Sequence, residues 1–326
     1  MGRTPDENQP AGTYARDIFS RLLIDLAWAS SQLEGNSYSR LDTQLLIEFG
    51  HTAVGKAAEE TTMILNHKAA IEMLVEQADL IGFNSYTICN LHAAISEGLM
   101  KNPEDEGQLR VGDVAIMNSA YMPLGIPRKI EECFKLLLTK VSMIPDPFEQ
   151  AFFVMVHIPY LQPFGDMNKR TSRMAANIPL IKGNYCPLSF VGVPQQAYID
   201  GTLAVYETRR TELLRDVFVV AYERSCEQYR VVRDSIAPPD RIRTNYRNEL
   251  RAVVRETVLG ALPPRPEVVK SKAREAGVTD GDEVAFAETA LSALASLHEG
   301  AIGRYGIRPS EFSAWRNKYT HTPKRV

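Results

Sequence analysis

Gln162-Pro163-Phe164-Gly165-Asp166-Met167-Asn168-Lys169-Arg170-Thr171-Ser172-Arg173 is a polar, cation-rich stretch set between two apolar ones. Before it comes Ala151-Phe152-Phe153-Val154-Met155-Val156, and after it Met174-Ala175-Ala176-Asn177-Ile178-Pro179-Leu180-Ile181. Apolar flanks of this kind predict buried helices on both sides, so the charges lie between two core segments. A loop that enters a helix presents unpaired backbone N–H groups and the positive end of the helix dipole, which makes it a ready anion site. Here the loop adds one carboxylate, Asp166, suited to a magnesium ion, then Asn168 as a hydrogen-bonding residue and Lys169, Arg170 and Arg173 as cations. Arg170 and Arg173 stand three apart, hence on one helix face. The set suits a Mg-triphosphate. The plainer alternative, a charged first turn of a solvated helix, does not account for the apolar flanks.

The segment resembles the signature of Fic (Fido-fold) proteins, whose loop reads His-Pro-Phe-x-Asp-Gly-Asn-Gly-Arg-x-x-Arg. Pro163, Phe164, Asp166, Asn168, Arg170 and Arg173 agree with it, whereas Gln162 stands for the histidine, Met167 for the first glycine and Lys169 for the second. His157, five residues before Gln162, matches an additional histidine of many family members. Upstream, Ile88-Cys89-Asn90-Leu91-His92, Gly107-Gln108-Leu109-Arg110 and Val114-Ala115-Ile116 resemble the helix, turn and flap hairpin that precede the family's catalytic core. Ser30-Ser31-Gln32-Leu33-Glu34-Gly35-Asn36 is similar to the family's inhibitory motif, (Ser/Thr)-x-x-x-Glu-(Gly/Asn). The resemblance covers roughly residues 15–235.

This resemblance implies AMP transfer from ATP to a hydroxyl side chain of a target protein. It implies Asp166 at Mg, Asn168, Lys169, Arg170 and Arg173 at the phosphates, and Glu34, with Ser30, as the inhibitory pair of residues opposing Arg173. The family histidine takes the proton from the attacking hydroxyl, which requires a group that titrates near the operating pH. The Gln162 amide cannot, and losing a general base slows such reactions by about 10²–10⁴. A lysine at position 169 is similar to Doc-type members, which transfer phosphate. The expected function is therefore a Fic-type transferase of AMP or phosphate with impaired or altered activity. The alternative is a non-catalytic module of the same fold that binds nucleotide, an anion or a partner, with a DNA-associated role open to its C-terminal helices.

Composition sets the outer limits. The 326 residues are 44% hydrophobic, enough for about two domains, and the net charge of −3 argues against a chain that grips nucleic acid as a whole. No run reaches the 18 or more apolar residues of a membrane helix, and the polar start, Met1-Gly2-Arg3-Thr4-Pro5-Asp6, is unlike a signal peptide. A cytoplasmic protein with no membrane partner is expected. Cys89, Cys133, Cys186 and Cys226 are far apart in sequence and read as buried free thiols, and His157, inside the apolar run, reads as a core or helix-packing histidine.

Apolar spacing predicts amphipathic helices over 16–34, 39–50 and 60–76, and one long helix over 198–232. The β-branched stretch from Val111 to Pro123 predicts the flap hairpin, to which a target segment would add as a strand, so protein docking is expected at 111–125. Ala237-Pro238-Pro239-Asp240 predicts a domain boundary. Beyond it, Arg243, Arg247, Arg251 and Arg255 recur as a cationic stripe, and 268–276 with 283–298 form a helix pair that a helix-turn-helix could share. The tail adds Arg304, Arg308, Arg316, Lys318, Lys324 and Arg325 against Glu311, so nucleic acid contact through 241–326, like homo-oligomerisation, stays open. The expected architecture is all-α: a Fic/Fido-fold helical core with a short β-hairpin flap and a small C-terminal helical module. Its parts are a flexible N-terminus (1–14), N-terminal helices including the inhibitory one (15–110), the core with flap and loop (111–236) and the C-terminal module (237–326).

Overall fold

In the computed structural model, residues 2, 4, 8–235, 241–279 and 281–319 are described. The expected break at 237–240 and the basic residues Lys324 and Arg325 lie outside them. The chain divides into a unit spanning 1–235 and another spanning 236–326.

The first unit contains α1 (Thr13–Asp17), α2 (Phe19–Gln32), α3 (Arg40–Phe49), α4 (Ala58–Glu76), α5 (Ser85–Ser96), α6 (Pro127–Ser142), α7 (Pro147–Leu161), α8 (Asn168–Ala175), α9 (Asn177–Lys182), α10 (Gln195–Thr208) and α11 (Glu212–Ser235). Local chemistry sets their starts. Ser39 and Asp42 close a capping box on α3, Asn84 Oδ1 accepts the Thr87 N–H at 2.8 Å to start α5, and Asp146 Oδ1 accepts from Phe148 and Glu149 N–H before Pro147 opens α7. The α2 end is a Schellman motif: Gly35 sits at φ 88, with Gly35 N–H bonded to Gln32 O and Asn36 N–H to Ser31 O. This stop leaves Glu34 just past the helix.

A continuous core joins these helices, with Leu22, Leu26, Ile71, Leu74, Ile88, Leu91, Val154, Ile158, Phe164 and Met174 all sealed from solvent. α2 packs on α4, α5 and α7 flank α8, and α10 lies against α11. The short α8 is thus surrounded, and Asn168, Arg170 and Arg173 on it are buried despite their polarity.

Two expectations are corrected here. The helix predicted over 198–232 is two helices, because Arg209 adopts φ 58 and turns the chain between α10 and α11, which then cross where Gly201 meets the Leu214 backbone. No glycine or proline marks this turn, so periodicity runs through it. The β-hairpin flap is absent: among the described residues there is no strand, and 111–125 is irregular chain with a turn at 117–118 and no ladder. Its two arms are bridged by the Arg110 guanidinium, which donates to Gly112 O at 2.8 Å and Leu124 O at 2.5 Å, while Ala120 N–H reaches Glu207 Oε1 at 3.1 Å. Side chains thus take backbone groups a ladder would use, and an isolated two-stranded ribbon has little stability of its own in water.

The second unit comprises α12 (Arg241–Asn245), α13 (Arg247–Leu259), α14 (Pro266–Glu275), α15 (Glu283–Ala295) and α16 (Pro309–Tyr319) around Val254, Val269, Phe286, Ala290 and Phe312. The arginine stripe is interrupted: the helix breaks at Tyr246, and Arg255 donates to the Tyr305 and Gly306 carbonyls. α15, the second helix of the pair, carries no lysine or arginine. Such a helix has no cation with which to meet a phosphate backbone. No helix among the described residues is long and apolar enough to cross a membrane.

Candidate functional site

Two left-handed, non-glycine residues bracket the loop, Gln162 (φ 50) ending α7 and Met167 (φ 60) preceding α8. Each such conformation costs about 1–2 kcal/mol for an L-residue, so the surroundings must hold it. Arg110 supplies one clamp, its Nε donating to Gln162 O at 2.6 Å and its backbone N–H to Pro163 O at 2.9 Å. Asn168 supplies another: its Oδ1 accepts Phe164 N–H at 3.0 Å while its Nδ2 donates to Phe164 O and, at 2.7 Å, to Gln162 Oε1. Asp166 Oδ1 accepts the Met167 N–H at 2.6 Å.

His92 supports the loop from α5. It stacks on Phe164 with ring centroids 3.9 Å apart, accepts Gly107 N–H at Nδ1 and donates from Nε2 to Asp166 O at 3.2 Å. These partners require the neutral ring protonated on Nε2. Burial agrees, pushing its pKa down to about 4 against the pull of Asp166. Gly107 allows this approach, since a Cβ there would stand 3.1 Å from Cys89 O.

The Gln162 amide is engaged at both ends. Nε2 donates to Pro159 O at 2.8 Å and lies 3.3 Å from the Tyr206 hydroxyl, and Oε1 takes the Asn168 bond. Tyr206 stacks on Tyr121, which stacks on Tyr160 and donates to its carbonyl at 3.0 Å. Burial raises the Tyr206 pKa, so its phenol stays protonated.

Beneath the loop lies a buried ion pair. Arg173, with no exposed surface, places Nη2 2.8 Å from Glu34 Oε1 and 3.0 Å from Ser30 O. Its Nε donates to Ser30 Oγ at 2.9 Å, its Nη1 to the Tyr198 hydroxyl at 3.1 Å, and its plane lies over the Tyr198 ring. Lys169 Nζ approaches the other oxygen of Glu34 at 3.5 Å. Burial alone would raise the Glu34 pKa, but Arg173, Lys169 and Arg170 outweigh it and hold the carboxyl at about 2. Glu34 is therefore ionised throughout the neutral range.

Arg170 differs from Arg173. It is 9% exposed, yet its Nε and Nη1 have no hydrogen-bond partner. Burial pushes its pKa down, and the attraction of Glu34 and Asp166 offsets this only in part. Asp166 is exposed, with Oδ1 engaged by its own turn. Among the described residues no cluster of three His, Cys, Asp or Glu could hold a metal. A single carboxylate nevertheless fits magnesium that arrives on phosphates, because Mg²⁺ keeps several waters and needs only one or two protein carboxylates.

The structure thus brings Ser30, Glu34, Lys169, Arg170 and Arg173 together under the loop and leaves Asp166 on its outer side. His157 is not in the core: it is exposed, its Nδ1 bonded to Phe153 O one helical turn back and its ring stacked on Phe153. All four cysteines are free, but only Cys186 is buried; Cys89, Cys133 and Cys226 are partly exposed.

A model of the Fic/DOC family matches residues 82–180, the stretch that contains α5, Arg110, the loop and α8. The chain carries a Fic/DOC family domain. It is 22% identical over 162 residues to the protein adenylyltransferase fic-1 of Caenorhabditis elegans, covering 48% of this chain and 31% of that protein. It is 24% identical over 184 residues to the protein adenylyltransferase Fic of Aedes aegypti, covering 54% and 36%. The chain spans about a third of the length of these curated relatives. Among solved structures, a C. elegans Fic-1 fragment superposes with TM-score 0.55 at 19% identity over 67% of this chain and 65% of that one. A Fic family protein from Desulfovibrio desulfuricans G20 does so with TM-score 0.54 at 16% identity over 83% and 85%. At these identities the structures establish the fold.

The loop and the buried pair beneath it also use residues, some of them outside the matched 82–180, for which the sequence suggested no role of their own. Tyr198 and Tyr206 on α10 contact Arg173 and Gln162, and Arg110 ties the loop to 111–125. His67 on α4 lies under Ser30. Neither tyrosine carries a local signal, since each looks like one more apolar position of a helix, and Arg110 was legible only as part of the Gly107–Arg110 turn, not as the clamp on the loop.

Proposed function

We propose that the domain binds a Mg-nucleotide with its phosphates at the α8 N-terminus and acts as a nucleotide-dependent, protein-modifying transferase of the AMP-transfer type. Glu34 holds it closed and Gln162 slows its proton-transfer step. The observation that carries this reading is Arg170, a buried guanidinium with two unpartnered nitrogens at a helix N-terminus. A buried cation with unpaired donors is destabilising unless an acceptor meets it, and phosphate is the anion that helix N-termini and arginine forks accommodate together. The relatives' names, protein adenylyltransferases, favour AMP transfer.

In this reading Arg170 and the first N–H groups of α8 bind phosphate in the resting state, while Arg173 and Lys169 become available only when Glu34 leaves. Magnesium at Asp166, when bound, would neutralise phosphate charge. Gln162 accepts or donates a hydrogen bond to the target hydroxyl but cannot remove its proton, so turnover falls by about 10²–10⁴ relative to a histidine-bearing site. The target is a protein that docks beside 111–125, at the cleft of about 500 Å³ lined by Tyr121, Leu124, Leu136, Phe153 and Tyr160.

One observation favours a second reading, a non-catalytic nucleotide-binding module. Both ends of the Gln162 amide are tied into the fold. The test is incubation with ATP labelled at the α or γ phosphate, using wild type, Glu34→Gly and Gln162→His. Incorporation of α label, strongest when both substitutions are combined, supports AMP transfer; γ label would redirect the reading to phosphate transfer. No label from any variant that still binds nucleotide supports the non-catalytic module.

A further inference from the structure

His67 lies on α4 with no exposed surface, packed against Ser30 and Ser31 of α2. Its Nδ1 is 2.7 Å from Met63 O, a carbonyl that can only accept, so the proton resides on Nδ1. Nε2 is therefore an acceptor, and its partner at 2.9 Å is the Ser30 hydroxyl. Ser30 Oγ in turn accepts from Arg173 Nε at 2.9 Å. Donor and acceptor roles leave one consistent direction: Arg173 donates to Ser30, Ser30 to His67 and His67 to Met63. Burial pushes the His67 pKa down to about 3, with Met63 opposing and the Arg170 and Arg173 charges adding to the effect. The ring stays neutral and the direction of the chain does not reverse.

We propose that His67 is a positioning residue for the Glu34–Arg173 latch: by accepting the Ser30 proton it turns a Ser30 lone pair toward Arg173, and so fixes the guanidinium with Nη2 facing Glu34. Without an acceptor at position 67 the Ser30 hydroxyl is free to rotate, and in some rotamers its proton points at a cation. Hydrogen bonds in a buried chain also polarise one another, so removing the last acceptor weakens the bond to Arg173. The phosphate site is then easier to open. The nucleotide arm of the test rests on the nucleotide reading above, whereas the positioning role itself does not.

The experiment is calorimetric titration of MgATP into the full-length wild type, His67→Phe, His67→Gln, Ser30→Ala, Glu34→Gln and the His67→Phe/Glu34→Gln double variant. His67→Phe, which keeps ring volume but removes the acceptor, tightens binding about tenfold, the factor that ~1.4 kcal/mol corresponds to. Glutamine offers both an acceptor and a donor and stays within about twofold of wild type. Ser30→Ala reproduces the gain and carries the same expectation should the phenylalanine variant not fold. The double variant binds no more tightly than Glu34→Gln alone. A purely structural role would lose affinity on substitution, so unchanged or weaker binding by both His67→Phe and Ser30→Ala overturns the proposal, as does full additivity in the double variant. If no protein binds MgATP, the nucleotide reading is what fails. The latch is then read from amide exchange of residues 29–35 in the ligand-free protein, expected to speed up about tenfold in His67→Phe and in Glu34→Gln without adding in the double variant. Exchange in His67→Phe at the wild-type rate overturns the proposal.

Discussion

Glu34→Gln is the perturbation whose size follows most directly from the structure. The substitution keeps shape and one acceptor but removes the charge 2.8 Å from a fully buried arginine. The Glu34 carboxyl is held near 2 against an ordinary value of 4.5, which corresponds to about 3 kcal/mol of stability at pH 7. An independent route agrees, since removing one partner of a buried ion pair commonly costs about 3–5 kcal/mol. The sign follows from the lowered folded-state pKa. The contribution is complete above pH 4.5, falls as the pH drops through the window from 4.5 to 2, and is down to about 1 kcal/mol at pH 3. For a unit of this size, ~3 kcal/mol is a melting-temperature loss of roughly 6–12 °C. Thermal melts of wild type and variant at pH 7 and pH 3 measure both quantities. A loss below about 2 °C at pH 7, or an equal loss at the two pH values, refutes the reasoning.

Other substitutions separate the roles of neighbouring residues. Arg170→Met removes a buried charge whose Nε and Nη1 have no partner, so thermal stability is expected to hold or rise by up to ~2 kcal/mol while affinity for MgATP falls at least tenfold. Arg110→Lys destabilises by about 3 kcal/mol in urea unfolding, because one ammonium cannot span the carbonyls of Gln162, Gly112 and Leu124 that the guanidinium reaches together. Met167→Gly relieves a left-handed residue, worth about 1 kcal/mol, but exposes a cavity where a 5%-exposed side chain packed, worth about 2–4 kcal/mol. The second effect wins, so the glycine variant melts lower.

Residues 162–173 were readable as a loop between buried helices because the change in composition is sharp, and the helix over 60–76 was readable from apolar spacing, whereas the one expected over 16–34 is broken at Ile18 into α1 and α2. What escaped reading shares a physical cause: it depends on contacts between distant positions. The turn at Arg209 has no glycine or proline; it is held by Arg209 N–H on Val205 O and Arg210 N–H on Ala204 O, and beyond it Gly201 crosses close to Leu214. The hairpin expected over 111–125 rested on β-branched residues, yet strand formation needs a partner, and Arg110 occupies the backbone carbonyls instead. Asn168 was legible as a hydrogen-bonding residue of the loop, but not that its amide closes the loop on Gln162 and Phe164. His157 looked internal because its neighbours are apolar, but on α7 it falls on the outward face.

In the proposed function, Arg170 at the start of α8 receives phosphate while Glu34 withholds Arg173. Calorimetric titration of MgATP into wild type, Glu34→Gly and Arg170→Met tests it most directly. Weak binding by the wild type, at least tenfold tighter binding by Glu34→Gly and none detectable by Arg170→Met are expected. Binding by Arg170→Met equal to wild type, or no gain on removing Glu34, would contradict the proposed function.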